Sequence, residues 1–337
     1  MMASPSRIIW KNWRAISANT SGKKFEKTIG IFQNMKPGGR KMASRWNKLF
    51  PLYLLLGPTF VLLLIFNYYP AFLAIFRSFF HWDIGNRATF AGLSNFKELA
   101  RDAIFLKSLG NIAKLLAFTL VVNLTVPLFV AEMIFSIQSA RWNYLLRVLF
   151  VIPMLVPPIV LWVLWKFIYS DAGFLTVFLE TIGKQDWIYG WLSHPKTALA
   201  AIAFVGFPFA YGFNILIYYA GLTNIPASIL ESAILDGATP LQMFFKIHLP
   251  MILSQIKLLV VITIIAVLQG FEAVYVLTGD GGPGYETMLP GLYMFFNGFT
   301  FKRMGYACAI GVVLFLIMLT FTILNNKYLR SSQELGA

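Results

Sequence analysis

Six long runs of apolar residues, separated by short polar segments, set the pattern along this chain. A helix needs about 20 predominantly apolar residues to cross a hydrocarbon core about 30 Å thick, and every run reaches that length. We therefore predict an all-α polytopic membrane protein with about six transmembrane helices. The spans are expected near residues 49–78, 109–135, 144–168, 197–222, 256–278 and 305–326.

Prolines interrupt two of these runs. Pro51, Pro58 and Pro70 fall in the first span, and the third contains the sequence IPMLVPPIV. Prolines are tolerated in transmembrane helices where neighbouring helices, side chains or water satisfy the carbonyl groups that they free. We therefore expect kinked helices in a bundle around a cavity, rather than simple membrane anchors.

The composition supports a membrane protein and narrows its chemistry. Hydrophobic residues make up 58% of the chain and charged residues 12%, whereas soluble domains contain about 25% charged residues. The single cysteine, Cys308, excludes a disulfide within the chain, and no Cys/His spacing typical of a metal site occurs. We find no phosphate-binding GxxxxGK[ST] loop and no nucleophile–base pattern. The sequence therefore predicts a non-enzymatic chain that binds no metal and no cofactor.

The positive charge of the chain is concentrated at its N-terminus. The net charge is +14, and residues 1–48 supply +10 of it through eleven Lys or Arg and one Glu. Basic residues beside a first span favour the cytoplasmic side, so six spans place both termini in the cytoplasm and no nucleic-acid partner is predicted. Ile9, Trp13 and Ile16 share one helical face, which fits either a helix on the membrane surface or a disordered basic tail.

The outer loop over residues 169–196 is rich in aromatic residues. It contains Trp187, Tyr189 and Trp191, with a break at Gly183. This pattern fits either a short interfacial or re-entrant helix or a belt of rings at the headgroup level.

The cytoplasmic loop over residues 223–255 contains the sequence ESAILDGATPLQMFFKIHLP and predicts two short helices. Pro226 suits the first turn of a helix that ends near Leu235. Gly237 then supplies the left-handed backbone position that ends this helix. The loop is expected to protrude as a rigid helix–turn–helix.

The second loop helix has its own start and stop signals. Thr239 and Gln242 form a capping-box pattern, and Pro250 marks the predicted end. Along one side the helix is expected to present Leu241, Phe244, Phe245 and His248. An exposed apolar edge on a cytoplasmic protrusion should meet a protein partner; alternatively, both helices lie on the membrane surface.

The same loop resembles that of a known family. It closely follows the EAA loop of the permease subunits of binding-protein-dependent ABC importers, which reads E-A-A-x-x-D-G-A, eight residues, then I-x-L-P. The matching positions are Glu231, Ala233, Asp236, Gly237, Ala238, Ile247, Leu249 and Pro250. Ser232 stands where the family usually has Ala, which is a change between small residues.

Three further stretches resemble the carbohydrate-uptake subgroup of this family, the maltose, multiple-sugar and alginate type. AGLSNFKEL at residues 91–99 is similar to its G-L-x-N-F signature. Arg147 and Pro153 in RVLFVIP fit its pattern before the third span. VLTGDGGPG at residues 276–284 resembles its T-G-G-G-P loop, from which Asp280 departs.

The resemblance implies the type I permease fold of ABC importers, with a cytoplasmic coupling helix, in the bacterial inner membrane. It also implies a domain organisation in four parts. These are a basic cytoplasmic tail (1–48), a first transmembrane helix with an external loop (49–107), the permease core (108–330) and a C-terminal tail (331–337).

The resemblance further implies partners and a mechanism. The loop would dock in a groove of a cytoplasmic ATPase, with Glu231 paired to a basic group and Gly237 providing the turn. The implied partners are a second permease, usually a different chain, two ATPase subunits that use ATP and Mg²⁺, an extracytoplasmic solute-binding protein and a carbohydrate. The implied coupling residues are Glu231, Ala233, Asp236, Gly237, Ala238, Leu241, Phe244, Ile247, Leu249 and Pro250.

Charged residues inside the spans suggest a substrate pathway. Glu272 lies in the fifth span, and a charge at a helix centre costs about 2.5–3.5 kcal/mol on insertion scales, so it usually faces a cavity or a partner. Gln269 and Tyr275 lie three residues to either side and are expected on the same face. Carboxylate, amide and ring suit a hydroxyl-rich ligand, although Glu272 would equally suit a structural pair with the second permease or a place near the outer interface. Glu132 and Lys166 lie near span ends, where snorkelling accounts for their charges.

The sequence thus predicts a permease subunit that moves a carbohydrate, most simply an oligosaccharide, into the cytoplasm, driven by a separate ATPase. Two alternatives stay open. The first is the same fold importing another solute, such as a polyamine, phosphate or an amino acid. The second is a secondary transporter driven by an ion gradient.

Overall fold

The described part of the chain is built from helices and one small sheet. The computed structural model describes residues 54–83, 85, 88–207 and 211–328. The chain is divided into two units, Met1–Tyr69 and Pro70–Ala337. The predictions made for the tails 1–48 and 331–337 lie outside the described residues.

The elements follow one another in this order. Helix α1 (Leu54–Arg77) precedes an antiparallel pair of strands, β1 (Phe80–His81) and β2 (Thr89–Phe90). Next come α2 (Ser94–Leu99), α3 (Ala103–Ser136), α4 (Ala140–Val151), α5 (Pro158–Ile168), α6 (Phe174–Thr181) and α7 (Ala198–Ala203). The remaining helices are α8 (Gly212–Thr223), α9 (Ala227–Leu235), α10 (Pro240–Met251), α11 (Leu253–Gln269), α12 (Glu272–Thr278), α13 (Pro290–Phe295) and α14 (Met304–Tyr328).

Three helices in the described ranges, α1, α3 and α14, are long and apolar enough to cross a membrane by themselves. They correspond to the first, second and sixth predicted spans. Three bent pairs pass the same test of length and composition: α4 with α5, bent by 87°, α8 with α9, bent by 71°, and α10 with α11, bent by 65°. Up to six spans are therefore present, which agrees with the predicted number.

The bend that the prolines predict in the third span is present, whereas the fourth and fifth predicted spans are wrong as continuous helices. The third turns at Val156 and Pro157, whose ψ angles are 127° and 134°, because a residue that precedes a proline is driven out of the helical region. The fourth is divided between α7 and α8. The fifth breaks at Gly270, which is extended with φ −72° and ψ 130°, so that α12 restarts at Glu272.

A π turn over Phe244–His248 widens α10 just before Pro250. There the N–H of Leu249 donates to the carbonyl of Phe244, five residues earlier. A proline removes a donor and crowds the carbonyl four residues before it, and the wider turn makes room. As a result α10 continues through Pro250 to Met251, one residue beyond its predicted end.

A short helix, which was one of the two alternatives for residues 169–196, is present as α6. It ends before Gly183, whose φ is +72°, and the N–H of Lys184 donates to the carbonyl of Leu179 at 2.8 Å. The glycine thus ends this helix in the left-handed conformation, as its position in the sequence predicts.

Helix α3 is the centre of packing within Pro70–Ala337. It contributes Phe105, Ile112 and Leu116 to one buried apolar cluster and Leu128, Ala131 and Ile134 to another. The first cluster also contains residues of α7 and α11 to α14, and the second contains residues of α8 and α11. With 34 residues, α3 extends about 51 Å at 1.5 Å per residue, so one helix joins both clusters.

The asparagine of the G-L-x-N-F stretch has a structural role. Asn95 is buried, and its amide nitrogen donates to the carbonyls of Ser78 at 2.8 Å and Phe80 at 3.0 Å. Buried amides require such partners, and these two join α2 to the segment that enters β1.

Candidate functional site

The turn after α9 is closed by Gly237. Its φ is +74°, its N–H donates to the carbonyl of Ile234 at 3.0 Å, and the N–H of Ala238 donates to the carbonyl of Ala233 at 3.0 Å. These two bonds form a Schellman motif, which satisfies carbonyls at the end of a helix. The predicted role of Gly237 in ending the first loop helix is confirmed.

A capping box starts α10. The backbone N–H of Gln242 donates to the hydroxyl of Thr239 at 3.4 Å, and the backbone N–H of Thr239 donates to the amide oxygen of Gln242 at 2.8 Å. Pro240 occupies the first helical position, where its missing N–H costs nothing. The turn between the two loop helices is therefore fixed from both sides.

The loop helices expose a group of apolar side chains that we call the loop knob. Its members are Ile234, Leu235, Leu241 and Phe245, with exposed fractions of 64%, 87%, 70% and 59%. The prediction that Phe244 and His248 share this side is wrong, because the two residues lie four positions apart and face the protein interior. Phe244 is half-buried and His248 is 5% exposed.

The inward side of α10 packs against the C-terminal part of α3. The rings of Phe244 and Phe129 are stacked with centroids 6.1 Å apart, and Phe135 meets the imidazole of His248 edge-on at 5.5 Å. Between them, Nδ1 of His248 lies 2.7 Å from Oε1 of Glu132. Glu132 therefore does not snorkel at a span end, as the sequence had suggested, but forms a partly buried pair with His248.

A cavity of about 290 Å³ lies where α3, α5, α7, α11 and α12 meet. Polar and aromatic side chains share its wall with apolar ones. The polar members are Thr119, Asn123, Tyr211 and Glu272, and the other aromatic members are Phe118, Trp162 and Phe271. Such a mixture of apolar surface and a few polar groups is typical of small-molecule sites.

Only one of the three predicted pathway residues lines this cavity. Glu272 does so at the start of α12, and its Oε2 accepts from the backbone N–H of Phe271 at 3.1 Å. Gln269 cannot share a helical face with Glu272, because the chain is extended at Gly270 between them. Tyr275 packs instead against Phe295, with ring centroids 5.8 Å apart.

The N-terminal end of α3 binds the segment between α12 and α13, residues 279–289, which we call the glycine-rich segment. The amide nitrogen of Asn111 donates to the carbonyls of Tyr285 at 3.1 Å and Met288 at 3.0 Å. Nζ of Lys107 lies 2.8 Å from Oε1 of Glu286 and donates to the carbonyl of Gly284 at 2.7 Å. This segment is thus tied to the same helix that lines the cavity and contacts α10.

Asp102 forms a polar centre beside this segment. Its Oδ1 caps α3 by accepting from Ile104 at 2.9 Å, and its Oδ2 accepts from the hydroxyls of Tyr293 and Tyr306, each at 2.6 Å. Burial raises the pKa of Asp102, but hydrogen bonds to the carboxylate lower it by more, so its pKa lies below the ordinary value. The N-terminal end of α3 is therefore fixed by charge-assisted hydrogen bonds.

Comparison with known proteins decides the family. Residues 124–330 match the family described as "Binding-protein-dependent transport system inner membrane component", which is more than half of the chain. The chain belongs to this family. It is thus an inner-membrane component of a transport system, and its helices supply the membrane spans.

Three relatives of this permease are similar to it in sequence along most of its length. The probable ABC transporter permease protein YurN of Bacillus subtilis (strain 168) is 32% identical over 290 residues, which are 86% of this chain and 98% of YurN. The sn-glycerol-3-phosphate transport system permease protein UgpA of Escherichia coli O157:H7 is 33% identical over 292 residues, 86% of this chain and 95% of UgpA. The diacetylchitobiose uptake system permease protein NgcF of Streptomyces coelicolor (strain ATCC BAA-471 / A3(2) / M145) is 30% identical over 279 residues, which are 80% of this chain and 79% of NgcF.

A solved structure establishes the fold of the permease. The chain superposes with a TM-score of 0.74 and 24% identity on a chain of the bacterial alginate ABC transporter in complex with an alginate pentasaccharide-bound periplasmic protein. The match covers 86% of this chain and 96% of that one. The all-α permease fold of an ABC importer, predicted from the sequence, is confirmed.

Within the permease, the residues matched to the EAA loop occupy three environments. Glu231, Asp236, Gly237 and Pro250 are exposed, Ala233 is buried, and Ala238, Ile247 and Leu249 are half-buried. Sequence reasoning missed the contact between Glu132 and His248, which are 116 positions apart. Their only signal was two titratable residues beside apolar runs, and no periodicity relates them.

Proposed function

We propose that this ABC permease imports a carbohydrate, an oligosaccharide, and that a separate ATPase drives the transport through the loop of residues 223–255. The observation that carries the coupling role is the loop knob, a set of exposed apolar side chains on helices fixed by a Schellman motif and a capping box. A rigid apolar projection of this kind suits a groove on another protein. Glu231 would pair with a basic group of the ATPase, and Leu241 would enter the groove.

The proposal includes an assembly and an orientation. Both termini and the loop lie in the cytoplasm, in keeping with the basic residues before the first span. Two ATPase subunits, a second similar permease and an extracytoplasmic solute-binding protein complete the importer. ATP and Mg²⁺ are bound by the ATPase subunits, and this chain holds no cofactor of its own.

A carbohydrate substrate is supported by the relatives and by the cavity. NgcF is a diacetylchitobiose uptake permease, and the alginate transporter has the same fold. Asn123 and Glu272 offer hydrogen-bonding groups, and Trp162 offers a ring. The volume of about 290 Å³ is near the lower end of small-molecule sites, about 300–1,000 Å³, so an oligosaccharide would extend beyond it towards the second permease.

A phosphorylated small solute is the second candidate, because UgpA is an sn-glycerol-3-phosphate permease at similar identity. Proteoliposomes that contain both permeases and the ATPase, supplied with the solute-binding protein, test both candidates. We expect ATP-dependent uptake of a labelled oligosaccharide from a panel that also includes sn-glycerol 3-phosphate, an amino acid and a polyamine. Uptake of a non-sugar alone would overturn the carbohydrate assignment. Uptake by this chain alone, driven by a proton or sodium gradient, would overturn the ATPase coupling.

The cavity assignment predicts a defect in substrate handling for Glu272→Ala. A hydrogen bond to a charged group is worth about 1.5–3 kcal/mol, so we expect the KM of uptake to rise roughly tenfold with unchanged assembly. Glu180→Ala removes an exposed carboxylate of α6 and serves as the matched control. Uptake kinetics of Glu272→Ala equal to those of the control would show that Glu272 does not contact the substrate.

A further inference from the structure

Three successive side-chain contacts join α10 to the C-terminal part of α3, and we call them the α3–α10 clamp. On α3 the clamp consists of Phe129, Glu132 and Phe135, which are three residues apart and therefore share a face. On α10 it consists of Phe244 and His248, four residues apart. Two ring contacts flank the 2.7 Å contact between Glu132 and His248.

The two polar members of the clamp depend on each other. The side chain of His248 is 6% exposed and that of Glu132 is 20% exposed. Among the described residues, the second polar atoms, Nε2 of His248 and Oε2 of Glu132, are buried without a hydrogen-bond partner. Removal of either member of such a pair leaves the other buried and unpaired, which is a costly state.

Helix α3 connects the clamp to the rest of the permease. It lines the cavity through Thr119 and Asn123, and its N-terminal part binds the glycine-rich segment through Lys107 and Asn111. A second link supports the C-terminal end of α3: the amide nitrogen of Asn143 in α4 donates to the carbonyl of Ile134 at 2.8 Å. Energetic coupling between distant sites is carried by such packed contacts and rigid elements.

We propose that Glu132 and His248 are positioning residues that make α3 follow the coupling loop, so that movement of the loop knob reaches the cavity. The inference rests on the proposed contact between the loop and an ATPase. The clamp stays closed through the transport cycle, and α3 moves together with α10. The pair itself touches neither the transported solute nor the ATPase.

The test uses the complete importer in proteoliposomes and measures ATP hydrolysed per carbohydrate taken up. We expect Glu132→Ala and His248→Ala to keep the ATPase bound and hydrolysing, but to raise this ratio at least fivefold. The exchanged pair, Glu132→His with His248→Glu, should restore the ratio to within twofold, which a loss of mere packing would not explain. Glu180→Ala is the matched control and should leave the ratio unchanged. Clamp variants that assemble with an unchanged ratio would overturn the proposal.

A cross-link tests the same idea without removing the charges. In a Cys308→Ala background, Phe129→Cys with Phe244→Cys places two thiols at a ring contact of the clamp, where a short bifunctional reagent can join them. We expect the cross-linked importer to keep the coupled uptake that the same double-cysteine variant shows before cross-linking, because the clamp does not open during the cycle. Loss of uptake on cross-linking, with uptake kept before the reagent is added, would overturn the proposal even if the alanine variants fail to assemble.

Variants of the loop knob distinguish failure of the clamp from failure of the proposed function. Leu241→Asp and Phe245→Asp should detach the ATPase during purification of the complex. If they do so while the clamp variants leave the ratio unchanged, only the inference about α3 fails. If they leave both ATPase binding and uptake intact, the proposed docking of the loop fails instead.

Discussion

Two loops contact α3 near its opposite ends, and both turn on glycines with positive φ. The segment after α12 contains Gly279, Gly281, Gly282 and Gly284, and a Cβ at Gly282 would lie 2.5 Å from Oγ1 of the buried Thr287. The loop between α8 and α11 turns at Gly237, and a Cβ there would meet no atom of the described part of the chain within 4 Å. The same residue type thus fits a packed turn in one loop and an open turn in the other.

The difference extends to the side chains around each glycine. The segment after α12 is tied to α3 by Asn111 and Lys107, and internally by Thr278 and Thr287, whose hydroxyls are 2.9 Å apart. The loop between α8 and α11 instead leaves the loop knob exposed. The side chains of the first loop find their partners within the chain, whereas the second loop presents apolar surface that a partner would cover. Substitutions in the first loop should therefore lower the stability of the permease, and substitutions in the second should weaken its coupling to a partner.

The largest effect on stability is expected for Gly282→Ala. Its backbone, with φ 72° and ψ −173°, lies in a region that is essentially restricted to glycine, at a cost of about 1–3 kcal/mol for other residues. The new Cβ would also displace Thr287 from Thr278, which adds about 1 kcal/mol. We expect a marked fall in the melting temperature of the permease in detergent. A melting temperature equal to that of the parent would remove the distinction between the two loops.

The next largest effect is expected for Asn111→Ala. Asn111 is buried, and without its amide the carbonyls of Tyr285 and Met288 lose their donor. An unsatisfied buried group costs about 1–3 kcal/mol. We expect the melting temperature to fall, and to fall at least as far in Asn111→Asp, which also lacks the donor and places a carboxylate beside the two carbonyl oxygens. A variant as stable as the parent would mean that the segment does not depend on α3.

Gly237→Val should separate stability from coupling. A side chain in the left-handed conformation costs roughly 1–2 kcal/mol, but no atom of the described residues lies within 4 Å of a Cβ placed there, so membrane insertion and assembly should persist. ATP-coupled uptake should fall at least tenfold because the turn that orients the loop knob is altered. Gly237→Asn is the control, since asparagine tolerates this conformation. Unchanged uptake in Gly237→Val would argue against a coupling role for the turn.

Local signals in the sequence predicted the parts of the permease that depend on neighbouring residues. Gly237 ends α9 and Thr239 caps α10 because both act through backbone groups within five positions. The number of spans followed from apolar run length alone. These features need no knowledge of what packs against them.

Features that depend on distant residues were not predictable in this way. Phe244 and Leu241 look alike in the sequence, but only Phe244 meets Phe129 of α3, so the apolar pattern did not separate the two sides of α10. The bend at Gly270 was missed because glycine in an apolar run is also compatible with a continuous helix. That missed bend led to the wrong placement of Gln269 beside Glu272.

The smallest effect on stability is expected for Lys107→Ala, which removes the exposed contact between α3 and the glycine-rich segment. The side chains of Lys107 and Glu286 are 38% and 33% exposed, and pairs of this kind contribute about 0–1 kcal/mol because water and salt screen them. The melting temperature should change little, and the change should shrink further at high salt. Combined with Asn111→Ala, it should add only this small increment, because the two side chains bind different groups of the segment. A loss as large as that of Asn111→Ala would show that the exposed charge pair, and not the buried amide, holds the segment to α3.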